Sequence, residues 1–242
     1  MSTRTAVLLC AFVTGTANAA LYDRGGGLIY DDVLNITWLQ DANYAKTSGY
    51  DADGKMSWFE ATNWAASLSY YDSVRDVTWG DWRLPIVRPV NGTSFNYDYS
   101  ANGSTDYGYN VGAPLTQYAG STESEMAYLW YSTLGNISLV NFGGGINPAG
   151  GGWDTPNYGP FTNVYPGSYH TDSVYQPDSD YTWVFRTEDG AQIYNWKYNV
   201  DLYAWAVRDG DVAAVPEPST YAMFLAGLGL VGLAVRPSRK KV

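Results

Sequence analysis

Leu28-Ile29-Tyr30-Asp31-Asp32-Val33-Leu34-Asn35-Ile36-Thr37-Trp38-Leu39 is the stretch from which the fold is read. Leu28-Ile29-Tyr30 and Ile36-Thr37-Trp38-Leu39 are short and rich in β-branched, aliphatic and aromatic residues. Asp31-Asp32 and Asn35 between them are turn formers, so the spacing predicts two short strands in a meander or hairpin.

On the C-terminal side, Ser57-Trp58-Phe59-Glu60 forms a capping box, and Trp58, Ala61, Ala65 and Leu68 follow at helical spacing, which predicts a helix over 57–69. A second start signal, Thr122-Glu-Ser-Glu125, precedes Met126, Leu129, Trp130 and Leu134 and is stopped by Gly135-Asn136, predicting a second helix. Residues 91–118 are rich in Asn, Gly, Ser, Asp and Tyr with few aliphatic residues, and residues 141–180 are dense in Gly, Pro, Asn and Tyr. Both read as long loops, and the only histidine, His170, as an exposed loop residue. Order returns with the alternating Tyr181, Trp183 and Phe185, a turn at Glu188-Asp189-Gly190, an answering strand from Ala191 to Trp196, and a last strand through Tyr203, Trp205 and Val207. Two helices, several short antiparallel strands and long loops predict one α+β domain over residues 20–212.

The two ends differ from this body. Arg4 precedes the apolar run Ala6-Val7-Leu8-Leu9-Cys10-Ala11-Phe12-Val13 and the small residues Ala17-Asn18-Ala19, the order of a secretory signal over residues 1–19 with cleavage expected after Ala19. At the other end Pro216-Glu217-Pro218 marks a hinge over 213–220, since two prolines stop regular structure arriving from upstream. The uncharged segment 221–235 follows, then a basic segment, 236–242, with Arg236, Arg239, Lys240 and Lys241. As a helix the apolar segment reaches about 22 Å against a hydrocarbon layer of roughly 30 Å, a marginal membrane span. The basic cluster belongs on the cytoplasmic side, so the body faces outward.

Pro-Glu-Pro, an apolar segment and a terminal basic cluster, in that order, resemble the PEP-CTERM sorting signal of Gram-negative bacteria. A generic tail anchor would explain the apolar run and the charges but not Pro-Glu-Pro. The resemblance implies export, transient inner-membrane anchoring through the tail, processing by an exosortase, and delivery to the cell surface or an extracellular matrix, often with exopolysaccharide.

The chain has 24 Asp+Glu against 14 Lys+Arg. With every acid lying between residues 20 and 219, the exported part repels nucleic acid and anionic lipid. Its only cysteine, Cys10, falls in the signal, which excludes disulfides, a thiol nucleophile and a Cys/His zinc site from the processed protein. No nucleophile elbow accompanies His170.

Several body segments match one pattern: Leu28-Ile29-Tyr30-Asp31 with Ile36-Thr37-Trp38-Leu39-Gln40-Asp41, Met56-Ser57-Trp58 with Ala65-Ala66-Ser67-Leu68, Gly80-Asp81-Trp82-Arg83-Leu84-Pro85, and Tyr203-Ala204-Trp205-Ala206-Val207-Arg208. Together they resemble the Lcl C-terminal-like domain of unknown function, related to the C-type-lectin-like and formylglycine-generating-enzyme-like folds. The resemblance implies a compact α+β domain with long loops and no settled activity. Residues 164–180 depart from it, with Val-Tyr-Pro-Gly-Ser-Tyr-His where the family has Tyr-Trp-Ser or Trp-Ser-Ser, and the cysteine chemistry of the formylglycine-generating relatives is missing.

In Asp81-Trp82-Arg83-Leu84-Pro85 the planar fork of Arg83 suits a carboxylate or phosphate ligand. The architectural reading is preferred: Trp82 and Leu84 enter the core, Arg83 pairs with an internal acid and Pro85 ends the element. Asp51-Ala-Asp53-Gly54, like the turns at Asp31-Asp32 and Asp209-Gly-Asp211, offers oxygens of the kind calcium takes, but Gly54 stands fourth where an EF-hand loop needs a glycine sixth. Such acidic turns read as conformational, and no cofactor is expected. The loop aromatics Tyr97, Tyr99, Tyr107, Tyr109, Trp153, Tyr158, Tyr165 and Tyr169 are the candidate ligand-binding residues, since exposed rings suit the apolar faces of sugars and protein contact surfaces. Trp38, Trp58, Trp64, Trp82, Trp183 and Trp205 read as packing.

The expected function is a non-enzymatic, exported, tail-sorted surface or matrix protein binding polysaccharide or another surface ligand through its loops. Two alternatives stand beside it: a carbohydrate-active enzyme using a carboxylate pair, and a structural matrix component without a specific ligand. The expected partners are the export machinery, an exosortase-type enzyme, polysaccharide, and the membrane before processing; nucleic acid is not among them.

Overall fold

The structure is a computed structural model that describes residues 20–148 and 156–212. The signal segment with Ala19, Trp153, the Pro216-Glu217-Pro218 hinge and the apolar and basic segments after it lie outside the described residues.

The opening meander forms as the sequence predicts. Strand β1 (Leu21–Asp23) pairs with β2 (Leu28–Asp31), and β2 with β3 (Ile36–Leu39). Asp31 Oδ1 accepts the N–H groups of Val33 and Leu34 at 3.1 and 3.0 Å and so closes the turn between them. Next come the short helix α1 (Tyr44–Thr47), strand β4 (Lys55–Met56) and helix α2 (Trp58–Ser67). The Ser57–Glu60 capping box is reciprocal, with Glu60 N–H donating to Ser57 Oγ at 3.4 Å and Ser57 N–H to Glu60 Oε2 at 2.9 Å. Strands β5 (Tyr70–Asp72), β6 (Val77–Trp79), β7 (Trp82–Arg83), β8 (Tyr99–Ser100) and β9 (Tyr107–Gly108) precede helix α3 (Glu125–Tyr128), which runs into a π-helical turn, Leu129–Thr133. The chain closes with β10 (Ser168–Val174), β11 (Tyr181–Arg186), β12 (Gln192–Trp196), β13 (Leu202–Tyr203) and β14 (Val207–Asp209).

One sheet has the order β1-β2-β3-β14-β7, a second β4-β13-β10-β11-β12-β9-β8, and β5-β6 is a separate hairpin. Alternation splits the five-stranded sheet between two cores. Ile29, Trp38 and Val207 lie side by side in register and pack with Met126, Leu129 and Trp130 of α3 and its π turn. Leu28 and Leu39 turn the other way, onto Ala61, Trp64 and Ala65 of α2. Phe185 on β11 carries the first core to the seven-stranded sheet, 6.0 Å from the Trp130 ring.

The domain is mixed α+β and mostly β, with three short α-helices among the described residues in place of the predicted two. Four-residue α1 is too short to show a period. The second helix starts later than the Thr122 signal implies: Ser124 is its cap, its Oγ accepting Ala127 N–H at 3.4 Å. The Glu125 carboxylate does not reach back to Thr122 because it accepts from Arg83 and from Ile86 N–H at 2.9 Å. The predicted strand through Tyr203, Trp205 and Val207 is two strands in two sheets, and the fully buried Ala204-Trp205-Ala206 crosses between them with Trp205 Nε1 donating to Leu39 O at 2.8 Å. Residues 168–174, predicted as loop, form β10 in the interior of the larger sheet, so His170 is fully buried instead of exposed. Residues 91–118 are a loop tied down by buried polar groups and carrying β8 and β9: Asp106 accepts Val90 N–H at 2.6 Å and Asn96 N–H at 2.7 Å.

The Asp81–Pro85 segment divides its side chains between two faces. Trp82 and Leu84 are buried in the α2-side core, while Arg83 on the opposite face holds Glu125 through two hydrogen bonds of 2.7 and 2.8 Å and adds Asp209 at 2.6 Å. Arg208 makes the matching pair with Asp81, two bonds of 2.8 Å, above the Trp79 ring.

Candidate functional site

The β8 end of the larger sheet carries a strip of aromatic rings. Alternation on β11 and β12 places Trp183 opposite Tyr194 and Tyr181 opposite Trp196. The next strand inward from the edge, β9, pairs through Gly108 with Gln192, and the edge strand β8 runs parallel to it with Tyr99 beside Tyr107. Only glycine serves at 108. Its φ is +125°, and a Cβ there would stand 1.9 Å from Ser100 O, so the two tyrosines owe their closeness to a missing side chain.

From the edge inward, Tyr109 and Tyr99 lie 6.5 Å apart, Tyr99 and Tyr107 5.6 Å, Tyr107 and Tyr194 5.2 Å, and Tyr194 and Tyr175 4.2 Å, all between ring centroids. Tyr97 continues the series at 5.2 Å from Tyr175 and, with Phe95, stacks over Trp183 at 6.2 and 5.6 Å. These spacings and tilts are those of mutually supporting aromatic pairs, so the rings hold one another in place. Tyr99 is 58 % exposed and the other tyrosines of the strip are half-buried. Burial lifts the phenols of Tyr97, Tyr107, Tyr109 and Tyr175 above the ordinary tyrosine range, so these hydroxyls stay protonated. Tyr109 is further fixed by its hydroxyl, which donates to Asp189 Oδ2 at 3.2 Å and accepts from Arg186 Nη2 at 3.3 Å. An exposed cluster of Phe59, Tyr198 and Trp196 lies beyond the other end of β12, with ring separations of 5.1 and 5.0 Å.

Of the eight aromatic candidates, Tyr97, Tyr99, Tyr107 and Tyr109 come together here. Tyr175, Tyr181 and Tyr194 were not among the candidates; Tyr181 and Tyr194 lie on the paired strands β11 and β12, where alternation was the available signal, while Tyr175 follows the end of β10 and carries none. Tyr169 is overturned as a surface residue: it is fully buried on β10, 6.0 Å from Trp205, with its hydroxyl accepting Tyr165 N–H at 2.9 Å. Tyr158 packs against the α3-side core, 6.3 Å from Trp130. Tyr165 stands apart from the strip, stacked on Tyr203 at 5.6 Å.

The Asp51–Gly54 turn uses its carboxylates on its own backbone. Asp51 Oδ1 accepts from the N–H groups of Asp53 and Gly54 at 3.0 and 2.7 Å, and Asp53 Oδ1 from Lys55 N–H at 3.0 Å. Among the described residues no group of three or more His, Cys, Asp or Glu is placed to hold a metal ion.

Residues 214–240 match the family model described as the PEP-CTERM protein-sorting motif. That motif implies recognition by an exosortase and export through membrane-associated sorting. No curated protein and no solved structure gives a significant match to the chain.

Proposed function

We propose that this chain is a non-enzymatic surface or matrix protein that, once exported and released from its tail, binds polysaccharide along the tyrosine strip. The observation that carries this reading is the run of closely spaced, partly exposed rings from Tyr109 to Tyr97, held by strand register at Tyr99, Tyr107 and Tyr194 and by ring contacts elsewhere, with protonated hydroxyls beside apolar faces. Flat rings interleaved with hydroxyl groups complement a pyranose, which has an apolar face and a polar rim. The resemblance of the body to the Lcl C-terminal-like domain, and through it to C-type-lectin-like folds, belongs to the same proposal and rests on the sequence segments around Trp38, Trp58, Trp82 and Trp205.

Affinity electrophoresis of the full chain through gels containing the host's matrix polysaccharide, with soluble neutral polysaccharides alongside, tests it. Retardation that falls about fivefold in Tyr99→Ala is expected, a loss of about 1 kcal/mol for one exposed ring. Unretarded migration in every gel, or a Tyr99→Ala protein retarded like the parent, rejects the reading.

A further inference from the structure

The cations of the described residues fall into two groups. Each of the described arginines is paired with a carboxylate: Arg24, Arg75, Arg83, Arg88, Arg186 and Arg208. The three described lysines form no such pair, although acids outnumber bases 24 to 14. Each lies over an aromatic ring instead. Lys197 is buried 4.5 Å above Trp58. Lys46 and Lys55 lie close together in the fold, Lys46 Nζ 5.7 Å from the Tyr165 centroid and Lys55 Nζ 5.5 Å from that of Tyr203. Those two rings are stacked nearly parallel, 5.6 Å apart at 13°.

Beside this stack is a cavity of about 260 Å³ lined by Asn43, Lys46, Thr47, Asn163 and Tyr165. A bridge between Asp41 and Thr162 brings the Asn163–Tyr165 segment against α1 and forms it. Asp41 forms no ion pair with Lys46: its oxygens accept Asn43 N–H at 2.9 Å, the Thr47 hydroxyl at 2.6 Å and Asn163 Nδ2–H at 2.9 Å. Those same bonds fix Thr47 and Asn163, leaving the Thr47 oxygen and the Asn163 side-chain carbonyl as acceptors. The cavity is far larger than the space one water needs, and so has room for a small-molecule ligand.

We propose that this cavity binds a carboxylated sugar, a hexuronic acid unit. The apolar side of its ring packs against the edge of Tyr165, whose faces are taken by Tyr203 and Lys46, its carboxylate pairs with Lys46, and its hydroxyls donate to Thr47 and Asn163. An ammonium already held at an aromatic ring and lacking an internal acid supplies the charge such a ligand needs, while the ring and the two acceptors distinguish it from a bare anion. The site lies apart from the tyrosine strip and does not depend on it.

Calorimetric titration of the full chain in detergent micelles with sodium glucuronate, glucose and sodium acetate tests the assignment. Glucuronate is expected to bind about tenfold more tightly than either of the others, and Lys46→Gln to remove about that factor. Tyr165→Ala abolishes binding, Tyr165→Phe keeps it and Tyr99→Ala leaves it unchanged, which separates this site from the strip. Glucose binding as well as glucuronate removes the charge argument, and acetate binding as well removes the sugar argument. Glucuronate affinity unchanged in Lys46→Gln, or no glucuronate binding at all, overturns the proposal.

Discussion

His170 has no accessible surface and sits on β10 with Nε2 donating to Met56 O at 3.0 Å, while Nδ1 has no partner. Burial pushes its pKa down from 6.5 to about 4, although the bond to Met56 opposes the shift. The folded protein therefore keeps a neutral ring where the unfolded chain takes up a proton. The stabilisation is complete above pH 6.5 and lost as the pH falls through 4, up to about 3 kcal/mol at 1.36 kcal/mol per pH unit. Urea unfolding at pH 7 and pH 4.5 should show this loss in the parent and a smaller one in His170→Gln; parallel pH profiles would refute the assignment. Leu115 poses a different problem, with φ at +69° and 90 % of its surface exposed at the rim of an apolar hollow of about 360 Å³. A left-handed leucine costs about 1–2 kcal/mol, so Leu115→Gly should raise stability by up to about 1 kcal/mol after the greater freedom of the unfolded glycine is deducted. Neither residue was legible in the sequence. His170 lies among Ser, Thr and Asp with no aliphatic alternation to mark a strand, and nothing local distinguishes Leu115 from any other loop leucine.

Between elements, Arg83 joins β7 to α3. Its guanidinium satisfies both oxygens of Glu125, which is almost fully buried, and it is itself partly exposed beside Asp209. Arg83→Ala leaves the buried carboxylate unpaired and should cost about 3 kcal/mol, with Arg83→Lys recovering only part because an ammonium cannot form the two-pronged pair. Equilibrium denaturation of both variants checks this, and a double-mutant cycle with Glu125→Gln should return strong coupling. This segment was readable because Trp-Arg-Leu alternates on a strand, and alternation alone sends Arg83 to the face opposite Trp82 and Leu84. The α2 start was readable for a similar reason, since a capping box is a contact between near neighbours. The α3 start was misplaced because its glutamate answers an arginine 42 positions away. The split of the last strand was hidden too, as Tyr203, Trp205 and Val207 alternate whether they serve one sheet or two.

Across the whole chain, strand register supplies what loop composition could not. Tyrosine-rich loops announced an aromatic surface, but only the pairing of β8, β9, β11 and β12 tells which rings share it and adds Tyr181 and Tyr194, with Tyr175 joining from the loop after β10 by stacking on Tyr194. The tail, by contrast, was legible directly, because a sorting signal is read as a linear order of unlike segments. Replacing Pro216, Glu217 and Pro218 with alanine should leave the protein at full length in the inner-membrane fraction of its host; normal processing on an immunoblot would contradict this. A reporter fused after Val212 should be active only outside the cytoplasm.

Strand β14 lies between β3 and β7 inside its sheet and is followed within three residues by Val212. Any pull exerted through the segment beyond Val212 therefore loads a ribbon bonded along both flanks, so that the ladders on either side must shear together rather than peel apart one rung at a time. A body tethered by that end would meet tension on a line of attachment reinforced from both sides.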